Sequence, residues 1–165
     1  MSIFNILKGQ SAKCAKDEII APAKGEIIDI TKVSDPLFAG KVLGESIAFK
    51  FEGDEVEICA PCSGTLTALF PTGHAFGITM DNKVEVMIHI GINTVETKGN
   101  GFTLLDKKQG DKVKAGEPIV KADLKALSQS YDTSTMLIIT NAAGHQITFN
   151  EPGPVEYASI VGRTE

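Results

Sequence analysis

Residues 72–90 of the chain read TGHAFGITMDNKVEVMIHI, two apolar runs separated by a short polar segment. Asp81 and Asn82 tolerate the left-handed backbone that two-residue hairpin turns require, so the pattern predicts one β-hairpin with these residues as its loop. In that register, residues equally far from the loop lie opposite each other with Cβ atoms about 5 Å apart. The hairpin therefore pairs His74 with His89, two of the three histidines in the chain.

The same register assigns side chains to the two faces of the hairpin. The face expected to point to the core is apolar and carries Ala75, Gly77, Thr79, Val84, Val86, Ile88 and Ile90. The histidine face points outward and presents Phe76 and Met87 beside the pair. Neighbouring imidazoles suppress each other's protonation, because two positive charges in contact repel. Such a pair predicts either a neutral nucleophilic nitrogen beside a hydrogen-bond donor or two ligands for a metal.

The rest of the chain consists of many short β-branched runs separated by turns. Sixteen glycines and seven prolines punctuate these runs, a pattern typical of a sandwich or barrel. The sequence therefore predicts an all-β fold, an antiparallel β-sandwich or barrel-sandwich hybrid with one or two short helical turns. Residues 123–130 are predicted to be helical, with Asp123 as N-cap and Leu124 and Leu127 on one side. Residues 1–18 are predicted to form a flexible tail and residues 19–165 a single domain.

Charge and composition exclude several functional classes. Lys and Arg number 16 against 21 Asp and Glu, a net charge of -5, and no basic run is present, which argues against a nucleic-acid partner. No apolar stretch approaches the roughly 20 residues of a membrane span, and the N-terminus lacks a signal-peptide pattern, so we expect a cytoplasmic protein. Ile3, Phe4, Ile6 and Leu7 share one helical face. Two interpretations of this tail stay open, weak contact with a membrane surface and a mobile terminus.

The residues around the hairpin resemble a known family. The runs FPTGHAF at 70–76, VEVMIHIGINTV at 84–95 and KGNGF at 98–102 look like the glucose-type IIA component of the bacterial phosphoenolpyruvate-dependent sugar phosphotransferase system. The resemblance implies a β-sandwich that accepts a phosphoryl group on a histidine from the histidine-containing phosphocarrier protein. It implies onward transfer to a cysteine on the IIB domain of a sugar permease, which couples sugar uptake to phosphorylation. Regulatory binding to other proteins is a further implication.

The resemblance also implies roles for individual site residues. His89 matches the phosphorylated histidine, His74 its partner, and Thr72 the hydroxyl residue that orients His74. His74 and nearby backbone N–H groups are expected to hydrogen-bond the phosphoryl oxygens. No cofactor is expected to be required, because the donor is already a phosphohistidine.

A docking surface around the pair is implied by the same resemblance. Asp35 matches an acidic rim position that would face a basic partner. Asn93 stands where Asp is usual, which affects one salt bridge at the rim. The apolar positions of this surface are Phe38, Val42, Leu43, Phe70, Phe76, Met87 and Val95.

Two other classes of protein fit parts of the pattern. A lipoyl- or biotinyl-like carrier domain would modify a lysine beside a hairpin tip, where Lys83 stands, but its surrounding residues differ from those contexts. A zinc-binding β-domain would use His74 and His89, but a catalytic zinc normally has three protein ligands, so zinc at an interface would need ligands from a partner. Cys59 and Cys62 form a Cys-x-x-Cys that leads into a strand and not a helix, which favours packing over redox chemistry.

Overall fold

The computed structural model describes residues 14–165, so most of the predicted tail lies outside the described residues. This part of the chain is mostly β-structure with a few helical turns, which confirms the predicted fold class. The strands are β1 (Glu18–Ile20), β2 (Gly25–Ile28), β3 (Ser46–Phe51), β4 (Glu55–Cys59), β5 (Gly64–Leu69), β6 (Ala75–Thr79), β7 (Glu85–Ile90), β8 (Phe102–Leu104), β9 (Lys112–Val113), β10 (Pro118–Asp123), β11 (Thr135–Asn141), β12 (Ile147–Phe149), β13 (Gly153–Val155) and β14 (Ile160–Thr164). The helices are α1 (Pro36–Ala39) and α2 (Leu124–Leu127), and 3-10 turns cover Ile30–Lys32 and Thr94–Thr97.

The strands form three sheets whose pairs are antiparallel throughout the described residues. The 8-stranded sheet has the order β13-β2-β3-β11-β7-β6-β5-β9. Two 3-stranded sheets have the orders β1-β14-β12 and β4-β10-β8. Glu18 already pairs with Arg163, so the first strand begins at the last residue of the predicted tail.

Each of the two α-helices begins at an aspartate cap. The Asp123 carboxylate accepts a hydrogen bond from the Ala126 N–H (3.0 Å), which confirms the predicted cap, and both leucines of α2 are buried. The helix ends at Leu127 and is therefore shorter than the predicted span of residues 123–130. Helix α1 was not predicted, although the Asp35 carboxylate accepts from the Leu37 N–H (2.9 Å) and Pro36 suits a first helical turn. Within residues 14–165, no helix has the length and apolar character that a membrane crossing requires.

Two apolar clusters lie on opposite faces of the part of the large sheet formed by β3, β11 and β7, because side chains alternate along a strand. The main cluster takes Phe49, Leu137 and Ile88 from these strands. The second cluster takes Ala48, Met136 and Ile138, and α1 covers it with Phe38. Helix α1 is thereby held over the same sheet face that carries His89, because His89 pairs with Met136.

The hairpin of β6 and β7 has a three-residue loop, residues 81–83, in place of the predicted two-residue loop. The Met80 N–H donates to the Val84 carbonyl (2.8 Å), and Lys83 has a left-handed φ of 76°. A left-handed third residue is the common solution for loops of this length. The additional loop residue shifts the register by one, so His89 lies opposite Ala75 and not opposite His74.

Phe76 therefore points into the main core. A shift of one residue in the pairing of β6 with β7 places every β6 side chain on the face opposite to the predicted one. Phe76 lies opposite Ile88 and is 0% exposed, whereas Ala75 and Gly77 share the outward face with His89. The expectation that Phe76 lines the docking surface is wrong.

We expect Phe76→Ala to lower the free energy of unfolding by about 3–5 kcal/mol, because the truncation leaves a cavity in a closed core. Phe70→Ala is the matched control, since Phe70 is 38% exposed, and we expect it to cost about 1 kcal/mol or less. Urea unfolding followed by circular dichroism measures both. A loss for Phe76→Ala no larger than that for Phe70→Ala would contradict the inward orientation of Phe76.

Candidate functional site

His89 lies near the end of β7, and its ring is held by the backbone two residues later. Its Nδ1 is 2.8 Å from the Gly91 carbonyl oxygen. Because a carbonyl only accepts hydrogen bonds, Nδ1 carries the proton and Nε2 keeps its lone pair in the neutral ring. Gly91 has a φ of 80°, and a Cβ on it would collide with Thr94. A glycine at position 91, two residues after His89, therefore permits this turn.

His74 lies immediately before β6, where the strand alternation does not extend. Gly73 has a φ of 79° and turns the chain just ahead of it, and the His74 carbonyl accepts from the Ile90 N–H (2.7 Å). Thr72 Oγ1 is 2.6 Å from His74 Nδ1, and the histidine is 3% exposed. The turn thus brings the His74 ring to His89, although the two residues are not opposed in the ladder.

The two imidazoles meet edge to face and are bordered by two phenylalanines. Their ring centroids are 5.2 Å apart at an angle of 81°. The Phe38 ring lies 4.9 Å from that of His89, and the Phe70 ring 5.1 Å from that of His74. The site therefore has an apolar wall on each side of the histidine pair.

Both imidazoles are biased toward the neutral form. Burial lowers the pKa of His74 below its ordinary value, and the neighbouring His89 lowers it further. Burial also lowers the pKa of His89, against the opposing effects of the Gly91 carbonyl and the Asp35 carboxylate. At neutral pH the free Nε2 of His89 is thus available as a nucleophile.

We expect both histidines to titrate below the ordinary imidazole value of 6.5 in the folded protein. Between the lowered pKa and 6.5 the unfolded chain binds more protons than the folded one, so the free energy of unfolding increases as the pH rises through that interval. Proton NMR of the ring Cε1–H signals, with the urea-unfolded chain as reference, measures the midpoints. Equal midpoints in the folded and unfolded states would contradict the burial argument.

The backbone amides that follow His89 are already hydrogen-bonded. The Ile90 N–H donates to the His74 carbonyl (2.7 Å), the Gly91 N–H to Ser134 (3.0 Å) and the Ile92 N–H to Asp132 (2.9 Å). These three amides are not available to an incoming group, so the expected backbone donors are not those of residues 90–92. His74 is the donor that the described geometry places beside His89.

Four of the apolar side chains predicted for the docking surface are well exposed. Of the predicted positions, Val42 is 68%, Val95 52%, Leu43 41% and Phe70 38% exposed. Phe38 is buried beneath them against His89, and Met87 is half-buried against the second cluster. Sequence reasoning missed Leu37 and Leu104, which are 43% and 39% exposed. Leu37 neighbours Phe38 on α1, and Leu104 lies beside Gly73.

The two polar rim positions differ in how they are held. Asp35 caps α1 through the Leu37 N–H and is close enough to His89 to raise its pKa electrostatically. Asn93 is exposed, has a left-handed φ of 60° and makes no side-chain cap to the 3-10 turn that follows it. The backbone conformation of the turn therefore sets the direction of the Asn93 side chain, which makes no capping hydrogen bond.

The residues proposed for the zinc and redox alternatives lie in surroundings that do not suit those functions. Within residues 14–165 no three His, Cys, Asp or Glu side chains are grouped to hold a metal, so zinc at His74 and His89 would need ligands from elsewhere. Cys59 and Cys62 are buried, and burial raises the pKa of the Cys62 thiol, which opposes thiolate chemistry. Lys83 is exposed in the hairpin loop.

Comparison with known proteins places the chain among phosphotransferase proteins. It is 38% identical over 135 residues to the glucose-specific EIIA component of Halalkalibacterium halodurans, which covers 81% of this chain and 76% of that protein. It is 37% identical over 144 residues to a glucose-specific EIICBA component of Staphylococcus carnosus, across 87% of this chain and 21% of that protein. The chain thus spans about a fifth of the length of several relatives that it matches.

A solved structure and a family model agree with these relatives. The glucose permease IIA from Mycoplasma capricolum superposes with a TM-score of 0.81 at 34% identity, covering 88% of this chain and 93% of that one. The family model that matches residues 17–144 is described as the phosphoenolpyruvate-dependent sugar phosphotransferase system, EIIA 1. The chain therefore belongs to the EIIA 1 family of the phosphoenolpyruvate-dependent sugar phosphotransferase system.

Proposed function

We propose that the chain is a phosphocarrier that accepts a phosphoryl group on His89 Nε2 and passes it on. The donor is the histidine-containing phosphocarrier protein, and the acceptor is a cysteine on the IIB domain of a sugar permease. The observation that carries this proposal is the hydrogen bond from His89 Nδ1 to Gly91, which leaves Nε2 unprotonated beside a second imidazole. His89 is accordingly the nucleophile.

The chemistry follows from the protonation of the ring. The Nε2 lone pair attacks phosphorus, the phosphorus–nitrogen bond of the donor breaks, and its electron pair returns to the donor's imidazole. The phosphorylated His89 ring keeps its Nδ1 proton and is formally positive, a charge that the Gly91 carbonyl stabilises. A positive ring is a good leaving group, so a cysteine thiolate can take the phosphoryl group by the same in-line displacement.

His74 and Thr72 are proposed to stabilise the phosphoryl group. With the Thr72 hydroxyl donating to His74 Nδ1 at 2.6 Å, the His74 proton resides on Nε2. That N–H is then the donor to a phosphoryl oxygen as charge develops in transfer. This arrangement requires no metal or other cofactor; zinc shared with a partner at His74 and His89 is a separate proposal.

The exposed apolar rim suits protein partners, and we propose that both the phosphocarrier and the IIB domain dock there. The proposed surface consists of the exposed Val42, Leu43, Phe70 and Val95, with Asp35 at its edge; Phe70 contacts the His74 ring, and Asp35 acts electrostatically on His89. A site for two successive partners must be open, which agrees with the exposure of these side chains. The proposal places the protein in the cytoplasm and allows regulatory partners on the same surface.

A reconstitution experiment tests this function. The purified chain is incubated with labelled phosphoenolpyruvate, enzyme I and the phosphocarrier protein, and then with isolated IIB domains. We expect an acid-labile, alkali-stable phosphoprotein whose label moves to IIB. Omission of the phosphocarrier protein is the control. Failure to label under conditions where the phosphocarrier protein itself is labelled would contradict the proposal.

A further inference from the structure

The Asp132 carboxylate collects hydrogen bonds from three parts of the chain. It accepts from the Ser134 N–H (2.9 Å) and the Ser134 hydroxyl (2.7 Å) within its own turn. It also accepts from Lys50 Nζ on β3 (3.1 Å) and from the Ser34 hydroxyl ahead of α1 (3.3 Å). Burial opposes its ionisation, but the bonds from Ser134 and Lys50 outweigh burial and lower the pKa of Asp132 to about 2.

The turn that Asp132 organises holds the backbone next to His89. The Asp132 carbonyl accepts from the Ile92 N–H (2.9 Å), and the Ser134 carbonyl accepts from the Gly91 N–H (3.0 Å). Gly91 is the residue whose carbonyl receives the His89 Nδ1 proton at 2.8 Å. The orientation of the Gly91 peptide group, and with it the protonation of His89, therefore depends on residues 132–134.

The same carboxylate also reaches the opposite wall of the site. Ser34 immediately precedes Asp35, the cap of α1, and α1 places the Phe38 ring 4.9 Å from His89. Asp132 thus connects the segment that hydrogen-bonds the His89 ring with the segment that packs against it. An isolated surface ion pair such as Lys121 with Glu55 makes no such connection to the site.

We propose that Asp132 is a positioning residue for His89: through the 132–134 turn and Ser34, it fixes the Gly91 carbonyl and the Phe38 ring against the imidazole. The expected consequence for transfer rests on the proposed function, whereas the consequence for the His89 ring does not. Without the carboxylate the 132–134 turn loses the side-chain bonds that brace it, so its backbone carbonyls hold the Gly91 and Ile92 amides less firmly and His89 populates more of the tautomer with the proton on Nε2. That tautomer has no lone pair at the reacting nitrogen.

Asp132→Asn tests the proposal, with Glu117→Gln as the matched control. Glu117 also accepts a backbone N–H, that of Lys114 (2.8 Å), and pairs with Lys107 (2.6 Å), but it contacts no part of the site. Nitrogen-15 NMR of the imidazoles reports the tautomer in the isolated protein. We expect the Nδ1-protonated share of His89 to fall in Asp132→Asn and to stay unchanged in Glu117→Gln. We also expect kcat for phosphoryl acceptance to fall about tenfold, with KM for the phosphocarrier protein within about twofold.

Two milder variants decide the matter if Asp132→Asn folds poorly. Ser134→Ala removes only the hydroxyl bond inside the turn, and Lys50→Met removes only the bond from β3. Each is expected to shift the His89 tautomer in the same direction by a smaller amount. Unchanged tautomers in every one of these variants that folds would overturn the positioning role. A wild-type protein that cannot be phosphorylated would overturn the proposed function instead, since the tautomer is read without any partner.

Discussion

A His89→Ala variant is expected to accept no phosphoryl group, with the rate of labelling falling by at least about 10³-fold, because the attacking nitrogen is removed. No other side chain at the site offers an equivalent nucleophile, since His74 is 3% exposed and its Nδ1 is bonded to Thr72. The measurement is incorporation of label from phosphoenolpyruvate through enzyme I and the phosphocarrier protein. Thermal unfolding followed by circular dichroism verifies that the variant is folded.

His145→Ala is the matched control for this experiment. His145 lies in the turn between β11 and β12, and none of its hydrogen bonds reaches the histidine pair. The substitution His145→Ala removes the same imidazole ring as His89→Ala does. It is expected to be labelled like the parent protein. Normal labelling of His89→Ala, or loss of labelling in His145→Ala alone, would assign the phosphoryl group to another residue and reject the nucleophile proposed above.

His74→Gln is expected to slow transfer from phosphorylated His89 to the IIB cysteine by about 10²-fold, while the fold is retained. Glutamine supplies an amide donor on a flexible side chain, so it holds an N–H against the phosphoryl oxygens less firmly than the buried His74 ring does. Its side chain is also not anchored by Thr72 as the ring is. Rapid-quench measurement of a single turnover, starting from isolated phosphoprotein, separates this step from acceptance.

Thr72→Val provides the graded comparison for the His74 result. The substitution keeps the shape of the side chain and deletes the hydroxyl that lies 2.6 Å from His74 Nδ1. We expect a transfer rate between those of the parent and of His74→Gln. A His74→Gln protein that transfers as fast as the parent would eliminate the stabilising role, and a Thr72→Val protein slower than His74→Gln would assign Thr72 a role of its own.

Local patterns predicted the strands, the cap of α2 and the two relevant histidines, because each depends on residues close together in the chain. The hairpin register was mispredicted. Asp81 and Asn82 favour a two-residue loop, and nothing in the sequence indicates that Lys83 adopts a left-handed conformation. The additional loop residue changes the register, and Phe76 therefore lies in the core and not on the surface.

Helix α1 shows a second limit of local patterns. Asp35 and Pro36 are ordinary start signals, but a four-residue helix has too few turns for an apolar periodicity to appear. Its position over His89 comes from packing against β3 and β11, and β11 is remote in sequence. The wall that Phe38 forms beside His89 was therefore not predictable as a buried contact.

Local sequence patterns were enough to assign the fold class, the family and the paired histidines, since turn residues, strand periodicity and motif spacing are all local properties. The free nitrogen of His89 could be assigned from the three-dimensional structure alone, because it depends on where the Gly91 carbonyl lies. The position of that carbonyl depends in turn on residues 132–134, more than forty positions away in the chain. Long-range hydrogen bonds of this kind leave no periodicity in the sequence, and they set the protonation on which the proposed chemistry rests.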